Sequence, residues 1–224
     1  MPEHRMTWEE FQKMLKELPG NDAKYDVSAV AADENSLLKG KMIIYLGSSV
    51  TFGAASFEQS FIEYIDKMEG TVSVKEAVSG TTLVDDEPNS YIERMLHLPK
   101  DIRADAFICQ LSTNDAAKNK PLDKIVSAIE YITGYAGETW HCPVYFYTGT
   151  RFDNDLYAQM VDAILAMEKG GKIKVLDLWN DPDMNTVSPE DYKLYMADPI
   201  HPTKAGYLEW WTPKFIAFLN ENLT

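Results

Sequence analysis

Five short apolar runs, most of them followed by small or hydroxyl-bearing residues, constrain this chain more than any other feature. They cover residues 41–46, 72–78, 105–111, 143–148 and 173–178. Between the first two, Phe57, Phe61, Tyr64, Ile65 and Met68 recur at helical spacing. The same period predicts helices over 90–98, 122–135 and 154–168. Apolar runs joined by helical crossovers specify a mostly parallel sheet covered on both faces. The expected architecture is α/β: one three-layer α/β/α domain over 41–224, built on a mostly parallel five-stranded sheet. At 224 residues the chain can bury a full core without disulfide staples. Ser188 and Pro189 read as the start of a further helix. Residues 203–223 look helical too, with Pro213 expected to break or kink them near Thr212.

Residues 1–40 stand apart as an N-terminal helical extension. Thr7 and Glu10 have the spacing of a capping box. Trp8, Phe11, Leu15 and Leu18 then form one apolar stripe, ended by Pro19-Gly20. The stripe fits a helix packed on the domain, or a docking helix for a partner or a second subunit, so a homo-oligomer is one expectation.

Composition removes several function classes. The formal net charge is −14. A polyanion is a poor partner for nucleic acid, where cationic side chains must displace counterions. It is equally poor for an anionic membrane surface. No apolar run approaches the ~20 residues needed to span a bilayer. Residues 1–7 show no apolar core behind a basic stretch, so the expected compartment is the cytoplasm. Cys109 and Cys142 each adjoin apolar residues and are expected as free buried thiols. No metal or other cofactor is expected. Asp181 and Asp183 lack further ligands at useful spacing, and the glycine-bearing loop after the first run lacks the lysine of a phosphate-binding loop.

In parallel sheets, ligands bind beyond the carboxyl ends of the strands. Gly47-Ser48-Ser49-Val50-Thr51-Phe52-Gly53 follows the first run, and Ser79-Gly80-Thr81-Thr82 the second. Ser112-Thr113-Asn114-Asp115 follows the third and Thr148-Gly149-Thr150-Arg151 the fourth, while Asp198-Pro199-Ile200-His201 lies near the end. Hydroxyls, an amide, an acid and an imidazole on one rim are the parts of an acyl-transfer site. Each residue also has a plainer reading. Ser49 could cap a helix, Asn114 could stabilise a turn, and Gly80 could be turn punctuation. Asp115 reads as a brace for its own loop. His201 has an acid, Asp198, three residues before it.

These blocks, in this order, resemble the SGNH subgroup of the GDSL esterase/lipase family over roughly residues 41–220. Ser48 stands where that family usually has Asp, and Ser112 where it usually has Gly. The resemblance implies a flavodoxin-like SGNH hydrolase fold. It implies Ser49 as nucleophile, His201 as general base and Asp198 as the acid that orients it. It also implies an oxyanion hole from the N–H groups of Ser49 and Gly80 and the side-chain amide of Asn114. The expected activity is hydrolysis of small carboxylic esters, acetyl or short acyl, the acyl group carried by a small molecule such as an acetylated sugar. The alternatives are a lysophospholipase or thioesterase acting on longer chains, or a binding module that kept the fold. Tyr147, Arg151 and Trp210 are further candidates for substrate contact.

Overall fold

A computed structural model describes residues 7–224. The expected place of Trp8 in the apolar stripe, which concerns its side chain, lies outside the described residues. Strands β1 (Met42–Gly47), β2 (Val72–Ala77), β3 (Ala106–Gln110), β4 (Val144–Tyr147) and β5 (Lys174–Leu176) form one parallel sheet in the order β2-β1-β3-β4-β5. This is the flavodoxin-like arrangement.

Alternation along each strand feeds two cores. Ile44 and Leu46 of β1 join Phe107 and Cys109 of β3 on one face. That face is covered by α4 (Tyr91–His97), α6 (Leu122–Trp140) and α7 (Asp155–Lys169). Ile43 and Tyr45 point to the other face, with Ile108, Tyr145 and Tyr147. There they meet α3 (Phe61–Glu69) and α9 (Thr212–Leu223), which follows the short α8 (Pro189–Tyr195) in the chain, and Phe61 stacks on Phe215 at 3.8 Å. Cys109 and Cys142 are buried and unpaired.

Three helix boundaries depart from their periodicity. The helix expected from 57 begins at Phe61, because Ser60 and Glu63 form a capping box and Phe57 and Glu58 take positive φ. The helix expected to end at 135 runs to Trp140, whose ring stacks on Phe107 at 5.3 Å. Pro213 does not break the last helix. Residues Gly206–Trp211 form a π-helical segment in which the Thr212 N–H bonds to Tyr207 O. That wider turn places Pro213 in the first turn of α9, where a missing N–H costs little.

In the N-terminal segment, α1 (Trp8–Glu17) carries the Thr7–Glu10 capping box and fully buries Leu15 against the chain's own body. Among the described residues no helix is long and apolar enough to cross a membrane.

Candidate active site

The strand order reverses at β1, whose neighbours are β2 and β3. A crevice opens at the carboxyl ends of β1 and β3, where a flavodoxin-like sheet binds its ligand. The short helix α2 (Ser49–Phe52) follows β1, and α5 (Thr113–Ala117) follows β3. Gly47 closes β1 because nothing larger fits. A Cβ there would lie 1.7 Å from Thr51 Oγ1 and 2.9 Å from Gln110 Oε1.

Gln110 organises the turn that presents Ser49. Its Oε1 accepts from the Ser48 N–H at 2.9 Å and from Thr51 Oγ1 at 2.8 Å. Ser48 Oγ lies 3.4 Å from the same oxygen. So where the family pattern has an acid, this chain has a fully buried, uncharged hydroxyl facing a carboxamide.

Ser49 Oγ lies 2.8 Å from His201 Nε2. His201 Nδ1 lies 2.8 Å from Asp198 Oδ2. With Nδ1–H donating to the carboxylate, Nε2 carries the lone pair that faces the serine hydroxyl. The acid and the imidazole can sit three residues apart because their loop is tight. Asp198 Oδ1 accepts from the N–H groups of Ile200 and His201, both at 2.8 Å. Met196 and Pro202 pair as an antiparallel bridge, and the Ala197 N–H bonds to His201 O. Burial alone would raise the Asp198 carboxyl. The His201 side chain and the two N–H donors outweigh it and hold the group below its ordinary value.

Ser49 and His201 line a cavity of about 410 Å³ together with Gly80 and Asn114. Gly80 has a φ of +80°, and a Cβ built there meets nothing within 4 Å, so dihedral rather than space requires glycine. Asn114 Nδ2 donates to Thr81 O at 2.9 Å. One amide hydrogen is thereby committed, and the second is left for a ligand. Asp115 is fully buried and accepts from the N–H groups of Leu83 and Val84 at 2.7 and 3.1 Å. It ties the α5 loop to the chain beyond β2. Burial pushes its carboxyl up, against the hydrogen bonds from Ser112, Leu83 and Val84.

Tyr147, Arg151 and Trp210, the further candidates for substrate contact, do not line the cavity that holds Ser49. Tyr147 is buried among Phe61, Trp211 and Phe215, and its hydroxyl donates to Thr51 Oγ1 at 2.6 Å. Its place on the core face of β4 keeps it from the cavity. Arg151 and Trp210 border a separate hollow of about 240 Å³ that Ser49 does not line. Arg151 bonds to Asn180, and the Trp210 ring stacks on Tyr195. Lys214 pairs with both Asp181 and Asp183, which accounts for that acidic loop.

Sequence reasoning passed over Arg94, Gln110 and Phe11. Arg94 is buried on α4 and donates to Gly47 O, Thr81 Oγ1, Asn89 O and both the carbonyl and the carboxylate of Glu76. A lone arginine on a weakly periodic helix carries no sequence signal for that role. Phe11 of α1 lines the cavity with Ser49. In the sequence it was one member of a packing stripe.

Comparison with known proteins bears on the family and the fold. The GDSL-like Lipase/Acylhydrolase family profile matches residues 45–208. No curated protein matches the chain. Among solved structures, a protein from Lactobacillus plantarum superposes with a TM-score of 0.71 at 20% identity, covering 83% of this chain and 99% of that one. A member of the lipolytic protein G-D-S-L family from Veillonella parvula gives 0.65 at 16% identity, over 81% and 99%. An acetylxylan esterase from Geobacillus stearothermophilus gives 0.62 at 14% identity, over 80% and 94%. At such identities the structural likeness speaks to the fold. The family match takes in the switch-point loops and the histidine loop together, and on that ground this chain belongs to the GDSL-like lipase/acylhydrolase family, the SGNH hydrolases.

Proposed function

We propose that the protein is a serine esterase that cleaves small carboxylic esters through an acyl-enzyme. The observation that carries this reading is the unbroken hydrogen-bonded line from Ser49 Oγ through His201 to Asp198. A serine hydroxyl is a weak nucleophile at neutral pH, and an adjacent base activates it. Ser49 Oγ attacks the ester carbonyl and gives its proton to His201 Nε2. The Asp198 carboxylate stabilises the imidazolium. The carbonyl oxygen becomes an oxyanion, held by the N–H groups of Ser49 and Gly80 and the free amide hydrogen of Asn114. His201 returns the proton to the leaving alcohol. A water then repeats the sequence and releases the acid.

An acetyl or short acyl group on a carbohydrate is the substrate form we favour. The likeness to an acetylxylan esterase supports testing it first. The test is a panel of p-nitrophenyl esters and acetylated oligosaccharides, with Ser49→Ala as control. The expected result is Ser49-dependent turnover with an acyl-serine adduct visible by intact mass. Turnover that survives in Ser49→Ala, or none with any ester, overturns the reading.

A further inference from the structure

The family match begins at residue 45, so α1 lies outside it. Yet α1 reaches the site. Phe11 lines the same cavity as Ser49 and His201, with Phe52 and Ala54 beside it. The helix is also fixed to both halves of the candidate machinery by one buried carboxamide. Asn21 Nδ2 donates to Leu15 O at 3.0 Å and to Ala55 O at 2.8 Å, while its Oδ1 accepts the Lys204 N–H at 3.0 Å. Leu15 belongs to α1, Ala55 follows the Ser49 helix, and Lys204 follows His201. Both amide hydrogens and the carbonyl are used, so the group has one orientation. An ion pair between Asp26 and Lys204 ties the segment that follows α1 to the same loop. The helix is therefore held in register with the catalytic loops.

The chemistry of the cavity divides. A leaving alcohol must collect its proton from His201, whose side chain is partly open to solvent beside the half-exposed Asp198. The wall formed by Phe11, Phe52 and Ala54 is hydrocarbon and suits the acyl chain. A second hollow of about 660 Å³ shares Phe52 and Ala54 with the first and is bordered by Gln12 and Lys13 of the same helix. Phe11 lines the first hollow and not the second, whose other walls carry Glu9, Lys16, Phe57 and Glu58.

We infer that Phe11 is a specificity-determining residue: its ring closes the hydrocarbon side of the cavity and sets the length of acyl chain that Ser49 can attack. This rests on the esterase reading above. A methylene that a pocket cannot house costs about tenfold or more in specificity, so the effect is readable in a chain-length series.

The test compares full-length wild type, Phe11→Ala and Phe11→Leu. Two probes are used, a methyl and an octyl fluorophosphonate, with labelling followed by intact mass. In each, Ser49 Oγ displaces fluoride at phosphorus, and its proton leaves with the fluoride by way of His201. The same variants are assayed on p-nitrophenyl esters from acetate to octanoate. The expected result is an octyl-to-methyl labelling ratio raised about tenfold or more in Phe11→Ala, with Phe11→Leu in between. A ratio within about twofold of wild type in both variants overturns the inference. So does an equal slowing of both probes, which marks a purely structural role. The esterase reading is separable. A shifted ratio without turnover of any ester sinks that reading and leaves the wall standing. Ser49-dependent turnover with an unshifted ratio sinks the wall alone. No labelling of folded protein overturns both.

Discussion

The guanidinium of Arg94 donates to the carbonyl oxygen of Gly47 across 2.8 Å, two residues ahead of the candidate nucleophile. The same Nη2 reaches Thr81 Oγ1 at 3.1 Å. One buried cation thus links the end of β1 to the loop that carries Gly80. Lysine keeps the charge but cannot reproduce the fork. Arg94→Lys is expected to lower stability by about 2 kcal/mol, because buried acceptors lose their donors. It should lower kcat more than it raises KM. Urea denaturation and steady-state kinetics check both, and unchanged kcat in a destabilised variant would limit Arg94 to the fold.

Asp198→Asn separates the loop from the chemistry. The asparagine oxygen can still accept from the Ile200 and His201 N–H groups, so the turn should hold. It carries no charge to stabilise an imidazolium. The expected loss is on the order of 10²–10⁴ in kcat, with the protein still folded at neutral pH and a lowered unfolding midpoint that reflects the lost charge. A loss of activity matched by a loss of fold would show that the acid is structural.

Asn114→Ala removes the side-chain donor of the proposed oxyanion hole. The expected cost is on the order of 10²–10³ in kcat with little change in KM. The Thr81 carbonyl also loses its partner, so Asn114→Asp, which keeps the side-chain shape but likewise has no amide donor, is measured beside it together with the unfolding midpoint. Full activity in both would remove Asn114 from the mechanism.

Acid should remove activity before it removes the fold. Protonated Nε2 cannot accept the Ser49 proton, so turnover needs a neutral His201, and His201→Gln should abolish it. Asp198 has a folded value below its unfolded one. Its contribution to stability is therefore present above the unfolded carboxylate value of about 3.9 and is lost only as pH falls through the lower folded value. Asp115 works in the opposite sense, since its raised folded value favours the native state as pH falls through its window. Activity lost on the acid limb should return on neutralisation, with circular dichroism unchanged throughout. Irreversible loss, or loss that tracks unfolding, would contradict this order.

Gly47→Ala tests the close packing behind the nucleophile. The new methyl meets Thr51 Oγ1, which is pinned between Gln110 and Tyr147. Overpacking of this kind costs about 1–3 kcal/mol. A thermal unfolding midpoint equal to wild type would mean that the turn can yield.

Much of the architecture was legible in the residues alone. Ile43, Ile44, Tyr45 and Leu46 are apolar without alternation, the mark of a strand covered on both sides. The blocks around Ser49, Gly80, Asn114 and His201 follow strands or precede the last helix, and the structure brings them to one cavity. The helix over 57–60 was misread because apolar spacing cannot report the positive φ values of Phe57 and Glu58. Tyr147 was misread because its place next to the rim says nothing about which face of β4 it occupies.

The α/β class, and which hydroxyl, amide and imidazole could do chemistry, follow from the residues alone, because strand burial and loop composition are local properties. What surrounds those groups follows from how the chain packs. Arg94, Gln110, Asn21 and Phe11 act through partners far away in the chain, and a hydrogen bond between distant residues leaves no periodic trace in the segments it joins.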